Sequence, residues 1–270
     1  MIDGLTGPRD RAPLPAGSAL GALLLGAAAG AWLISARLAT PDMRVGVLTG
    51  APMMSENSRM GMPGSMSMSL SVFLASWTVM MVAMMVPSVV PAARTLYTCR
   101  RATGQPGGAT VLFIAGYLLV WSAIGGVAYL VPRALQDWLP PGSMAALRVG
   151  AILLVGAGVY QLTTPKQACL RHCRSLRMGV SPWASGHSGA VRAGLQHGVY
   201  CLGSSWPLML VLLLAGMMNL AWMVVIAGVI LVEKVVPSGE LVSKLVGWGL
   251  AGWGIILLAA PHTLPAFGGG

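Results

Sequence analysis

Charge is scarce in this chain. Of 270 residues only seven are acidic and 17 are Lys or Arg, so charged side chains amount to 9%, against roughly 25% in an ordinary soluble domain. That supply is too small for a soluble globular surface. Hydrophobic residues at 56% and a mean hydropathy of +0.75 point instead to a polytopic membrane protein. Catalytic signatures are missing too: there is no Walker loop, nucleotide-binding glycine fingerprint, His-Glu-x-x-His or nucleophile elbow. Their absence argues against ATP-driven pumping and hydrolase chemistry. No internal repeat and no soluble domain stand out.

Gly (36) and Pro (18) are abundant, but long Leu, Val, Ala and Ile runs exclude a disordered or collagen-like chain. Both residues are common in membrane helices. A net charge of +10 in a soluble protein would suggest a nucleic-acid partner. Here the basic residues belong to loops, and no nucleic acid is expected.

A bilayer core about 30 Å thick asks for roughly 20 apolar residues per helix. Seven segments qualify, near 17–36, 70–92, 109–132, 148–163, 199–215, 219–236 and 243–260, the fourth and fifth being the shortest. The expected fold is therefore all-α, a bundle of about seven transmembrane helices. The first run follows Arg9 and Arg11, exceeds the usual signal-peptide length and lacks a small-x-small cleavage site, so it reads as a retained helix.

Alternate loops divide the basic residues unevenly. Arg37, Arg44, Arg59, Arg133 and Arg148 fall on one side and the other twelve, including Lys166, Arg171, Arg174 and Lys234, on the opposite side. The positive-inside rule then puts the N-terminus in the cytoplasm and the C-terminus outside. Residues 1–16 form a cytoplasmic N-terminus, 17–260 one transmembrane domain and 261–270 a tail. Within that domain 37–69 is an external loop and 164–198 a basic cytoplasmic one. Trp121, Trp138, Trp206, Trp222, Trp248 and Trp253 fall near span ends, where interfacial belts form.

The four cysteines, Cys99, Cys169, Cys173 and Cys201, lie at or near the cytoplasmic side, where thiols stay reduced. Residues 163–173 read as a short helix with a Thr cap and a Pro at its first position, which puts Cys169 and Cys173 on one face beside His172. His197 and Cys201 share a second face by the same four-residue spacing. If the two faces met they would make an S₃N site suited to Cu(I) or Zn(II), since the loop has no Asp or Glu for Mg(II) or Ca(II). Structural burial of the thiols explains the same residues.

Methionine is also concentrated. Of 18, Met53, Met54, Met60, Met62, Met66 and Met68 crowd the external loop among small and turn residues. Flexible thioethers outside the cytoplasm suit Cu(I) capture, though an incidentally Met-rich linker has the same composition. In the second span Met81 and Met85, like Met80 and Met84, stand one turn apart, ahead of Pro87 and Pro91, which would bend the helix. That stripe would lead a soft cation toward the cysteines; helix packing accounts for it equally.

Glu233-Lys234 closes the sixth span, so the pair either caps and snorkels or lends Glu233 to a cation path or proton step. Tyr160, Gln161 and Asn219 are polar groups expected to hydrogen-bond between helices. Gly125-Gly126, Gly156-x-Gly158 and Gly247 to Gly254 are small-residue faces for packing within the chain or against other subunits.

Three stretches, Trp77 to Pro87, Tyr160 to Arg174 and Cys201 to Met209, together with Gly216 to Met223 and Glu233-Lys234, resemble a bacterial family of predicted metal-binding integral membrane proteins of uncharacterised function. The resemblance runs over about residues 70 to 250. It implies metal binding through cysteines, here Cys169, Cys173 and Cys201. The family pattern has one or two further cysteines before Trp206, where this chain carries Ser204 and Ser205. The leading expectation is a bacterial inner-membrane protein that binds or transfers a soft metal ion, copper ahead of zinc, without catalysis. The alternative is a subunit or assembly factor of a membrane oxidoreductase or another larger membrane complex.

Overall fold

The structure, a computed structural model, describes residues 15–38, 69–102, 104, 108–135, 138–139, 143–174, 186–215 and 219–260. These form helices α1 (Pro15–Leu38), α2 (Leu70–Ala102), α3 (Ala109–Leu135), α4 (Met144–Gln161), α5 (Thr164–Arg174), α6 (Gly186–Ala215), α7 (Leu220–Val235) and α8 (Gly239–Ala259), with no strand among the described residues. The fold is all-α as expected.

Six helices, α1 to α4, α6 and α8, are long and apolar enough to cross a membrane. The sixth segment anticipated from the sequence is α7, whose 16 residues reach about 24 Å at 1.5 Å per residue. That falls short of a full bilayer core of about 30 Å. The anticipated loop 164–198 carries helical segments, the first of them the short helix expected over 163–173. That helix is α5, and α6 begins at Gly186 and runs unbroken for 30 residues. α2 likewise continues past residue 92 to Ala102 and runs through both Pro87 and Pro91. The apolar periodicity marked only the parts of α2 and α6 that lack charge.

The molecule is apolar outside as well as inside. Leu23, Leu33, Val111, Leu119, Leu245 and Trp248 point outward, each more than half exposed, a distribution suited to hydrocarbon rather than water. Lipid tails are as apolar as Leu, so helix association here rests on close packing and interhelical hydrogen bonds. α1 and α2 run antiparallel, with Gly17 against Thr98 and Gly21 against Arg94. α2 and α3 do the same, joined by a hydrogen bond from Trp77 Nε1 to the Trp121 carbonyl (2.8 Å). Trp121 is fully buried and so belongs to the core, not to an interfacial belt. α3 and α6 lie side by side in the same direction, since Gly194 packs on Phe113 and Gly198 on Val120.

α4 also crosses α8 closely. A Cβ built on Gly158 would stand 2.5 Å from Ala251 N and 2.6 Å from Gly247 O, and one on Gly254 2.6 Å from Val155 Cγ2. These glycines are therefore used inside the chain, whereas Gly156, Gly249 and Gly252 have nothing within 4 Å. Gly158→Val should cost about 1–3 kcal/mol by overpacking, while Gly156→Val should change stability little. Thermal unfolding of both variants in detergent measures the difference, and equal melting would contradict the crossing.

Asn219 does not bridge helices. Its Oδ1 caps α7 by accepting from Ala221 N (3.1 Å) and Trp222 N (3.3 Å). The C-terminal ends of α2, α4 and α7 and the N-terminal halves of α6 and α8 gather at one end of the bundle, as Arg100 to Gly186 O (2.9 Å), Tyr160 OH to Gly203 O (2.9 Å) and the α4–α8 crossing show. α5 lies in that end, against α6 and α7.

Candidate metal centre

α5 places Cys169 and Cys173 on the face turned toward α6. Gly203 admits the first of them: a Cβ there would stand 2.7 Å from Cys169 Sγ, so the absence of a side chain lets the thiol lie on the α6 backbone. One turn further, Cys173 Sγ is 3.8 Å from Ser204 Oγ, with Cys201 close enough to act on its thiol. Cys201 is 1% exposed. Its sulfur also meets Tyr117 OH from α3 at 3.1 Å and receives a hydrogen bond from Lys234 Nζ of α7 at 2.8 Å. The two cysteine faces thus come together, and Cys201 is where they meet.

The histidines stand apart. His172 stacks on Tyr200 with centroids 4.4 Å apart, and its Nδ1 lies 3.1 Å from the Ala168 carbonyl. His197 is buried between the rings of Phe113 and Tyr117, 5.7 and 5.8 Å away. Among the described residues no three His, Cys, Asp or Glu side chains converge closely enough to hold a metal ion together. The S₃N cluster read from the spacing is therefore not preformed. Helical spacing put His197 and Cys201 on one face, and the rings of α3 occupy the space around the imidazole.

Met81 and Met85 are fully buried and pack in one core cluster with Met80, Met84, Met209 and Met223. Met60, Met62, Met66 and Met68 lie outside the described residues. Glu233 pairs across helices with Lys166 of α5, Oε2 to Nζ at 2.7 Å, and not with its neighbour Lys234. Gln161 completes this buried group, donating to Glu233 Oε1 at 3.4 Å and accepting from Lys166. Lys166 is fully buried, and desolvation pushes its ammonium below the ordinary range while Glu233 opposes that push. Tyr160 and Gln161 do bond between helices as expected.

Several residues here were invisible as a site in the sequence. Lys166 counted only as a loop cation, Tyr117 as one more aromatic residue in a span, and Ser204 only as the place of a missing cysteine. Lys234 carried a signal, an ammonium at the end of an apolar run, but its partner was out of sight.

Hydrogen bonding to Cys201, followed by burial, holds the Cys173 thiol well above its ordinary range, and burial pushes Cys169 up as well. A thiol raised in the folded state contributes stability that is complete below the ordinary thiol range and is lost as pH rises through the raised value. Only the thiolate alkylates. Iodoacetamide labelling of Cys173 in metal-free protein should therefore stay low where a free cysteine reacts and rise only at higher pH. Mass spectrometry across a pH series reads this, and a midpoint at or below that of free cysteine would refute it.

A bundle with an apolar exterior and free thiols at the junction of α5 and α6 defines the class: an all-α protein with six helices long and apolar enough to cross a membrane. A family model described as PpoB2, copper chaperone, matches residues 74–257, and the chain belongs to this family. No curated protein and no solved structure matches it.

Proposed function

We propose that this protein is a multi-pass bacterial inner-membrane protein that receives Cu(I) and holds it between the thiolates of Cys173 and Cys201, with Cys169 one turn away on α5. The meeting of α5 and α6 thiols at Cys201 carries this reading. Soft thiolates select Cu(I), a closed-shell ion that is content with two or three sulfurs. A structural zinc site wants four ligands, which makes zinc the weaker candidate for this centre. Membership of a copper chaperone family supports the same metal.

The chain crosses the membrane seven times in this reading, α7 making a short return shielded by its neighbours, with the N-terminus in the cytoplasm and the C-terminus outside. The antiparallel order of α1, α2 and α3 and the shared direction of α3 and α6 support that alternation. The Met-rich loop then faces outward to capture the ion, and Met81 and Met85 line its route inward. His172, His197 and Glu233 do not take part in the thiol centre. His197 and the Glu233–Lys166 pair shape its surroundings.

Elemental analysis of detergent-purified protein, beside the Cys173→Ser, Cys201→Ser double variant, tests the centre. Copper near one ion per chain is expected in the native protein and should be absent from the variant. Full retention in the variant would refute the site. A visible or paramagnetic copper signal would favour a redox role within a larger membrane complex.

A further inference from the structure

The junction of α4, α5, α6 and α7 brings in two lysines. The described residues include one buried carboxylate, Glu233, and Lys166 lies 2.7 Å from it. That pair is neutral by itself. Lys234 is left facing sulfur, its Nζ 2.8 Å from Cys201 Sγ. Cys201 is 1% exposed, so the net charge of this group is held in a poorly solvated place.

We propose that Lys234 is a specificity-determining residue of the centre, a fixed positive charge that makes it neutral when a monovalent soft ion is bound and charged when a divalent ion is bound. The inference rests on the Cys173–Cys201 reading above. Two thiolates and one Cu(I) sum to minus one, and the ammonium brings the group to zero. Loading exchanges the thiol protons of Cys173 and Cys201 for the ion and releases them to solvent, and no electron is transferred. Two thiolates and Zn(II) are already neutral, so the ammonium leaves one uncompensated positive charge. The divalent complex then bears the cost of a poorly solvated charge.

The sulfur atoms alone would favour soft ions without ranking them by charge. Lys234 adds that ranking. It also gives the metal-free centre an ammonium-to-sulfur hydrogen bond in place of an empty cavity. An incoming cation has to displace that ammonium without removing it.

The test is a competition between Ag(I), a redox-inert stand-in for Cu(I), and Zn(II) on the full chain purified in detergent, read as the ratio of the two affinities. In Lys234→Gln the preference for Ag(I) should shrink about tenfold or more, because Zn(II) no longer meets a surplus charge. Lys234→Arg keeps the charge and should keep the ratio. A purely structural role would weaken both ions together and leave the ratio unchanged. An unchanged ratio in Lys234→Gln, an equal loss in Lys234→Arg, or native protein that binds Zn(II) as tightly as Ag(I) would each overturn the proposal. Lys234→Met, a neutral side chain of similar length, replaces the Gln variant if that one does not fold. Failure of the native chain to bind either ion, or undiminished binding by the Cys173→Ser, Cys201→Ser variant, would overturn the centre itself and this inference with it.

Discussion

Replacing Cys201 by Ser is expected to lower Cu(I) affinity at least hundredfold while leaving the helices intact. Its sulfur is approached from three other helices, by Cys173 of α5, Tyr117 of α3 and Lys234 of α7. Serine fits the same space, can still bond Tyr117 and still accepts from Lys234, but an alcohol oxygen is a hard, neutral ligand for a soft cation. The proportions of loss should differ among the cysteines. Cys173→Ser removes the second thiolate and should act nearly as strongly. Cys169→Ser should act more weakly, because that sulfur rests on Gly203 one turn away. Cu(I) titration against a competing chromophoric ligand, with circular dichroism as a control for folding, gives all three values. Equal and small effects would mean that copper binds elsewhere, with the methionines of the core or the Met-rich loop the next place to look.

The second large effect is on stability. Lys166→Met is expected to destabilise the protein by about 3–5 kcal/mol, since it leaves Glu233 buried without its cation. Glu233→Leu should be comparably harmful for the opposite charge. Both residues are essentially inaccessible, Lys166 at 0% and Glu233 at 1%. The Lys166→Met, Glu233→Leu double variant should recover a substantial part of the loss, because replacing both partners of a buried pair with apolar groups is often tolerated. Gln161 would then be the residual cost, having given up both of its side-chain partners. A double-mutant cycle from unfolding in detergent measures the coupling. Single variants within about 0.5 kcal/mol of the native protein, the scale of an ordinary surface change, would show that the pair does not hold α5 to the bundle.

The two results bear on each other. α5 carries two of the three clustered thiols, and Lys166 is its buried anchor to α7, with the exposed Arg171–Glu240 pair at 2.7 Å a second tie to α8. Exposed ion pairs contribute little, so the position of Cys173 relative to Cys201 depends chiefly on the buried one. Lys166→Met should accordingly weaken Cu(I) binding as well as the fold. The Lys166→Met, Glu233→Leu variant shows whether packing alone can hold the helix in place.

Composition and periodicity determined a good deal about this protein. With 9% charged residues and apolar runs of about 20 residues, the chain read as helical and apolar on its outside, because in hydrocarbon a run of that length satisfies its backbone within itself only as a helix. Helical spacing determined that Cys169 and Cys173 share a face. The resemblance carried by the Trp77, Tyr160 and Cys201 stretches pointed to metal, and the copper chaperone family gives that metal a name.

Where charge interrupted the apolar runs, the same reasoning fell short. It ended α2 and started α6 too close to the centre of each helix, since Arg100 and Arg192 are compatible with a helix that continues past the membrane. It put His197 on the face of Cys201 without showing that the rings of Phe113 and Tyr117 flank it. Only the tertiary structure decided that Lys166 meets Glu233, 67 residues away, and that Lys234 meets Cys201. Spacing along a helix fixes which residues share a face. Which faces are pressed together depends on where glycines such as Gly158, Gly194 and Gly203 let two backbones, or a backbone and a sulfur atom, come close. That is a property of two surfaces at once, and no single segment of the chain contains it.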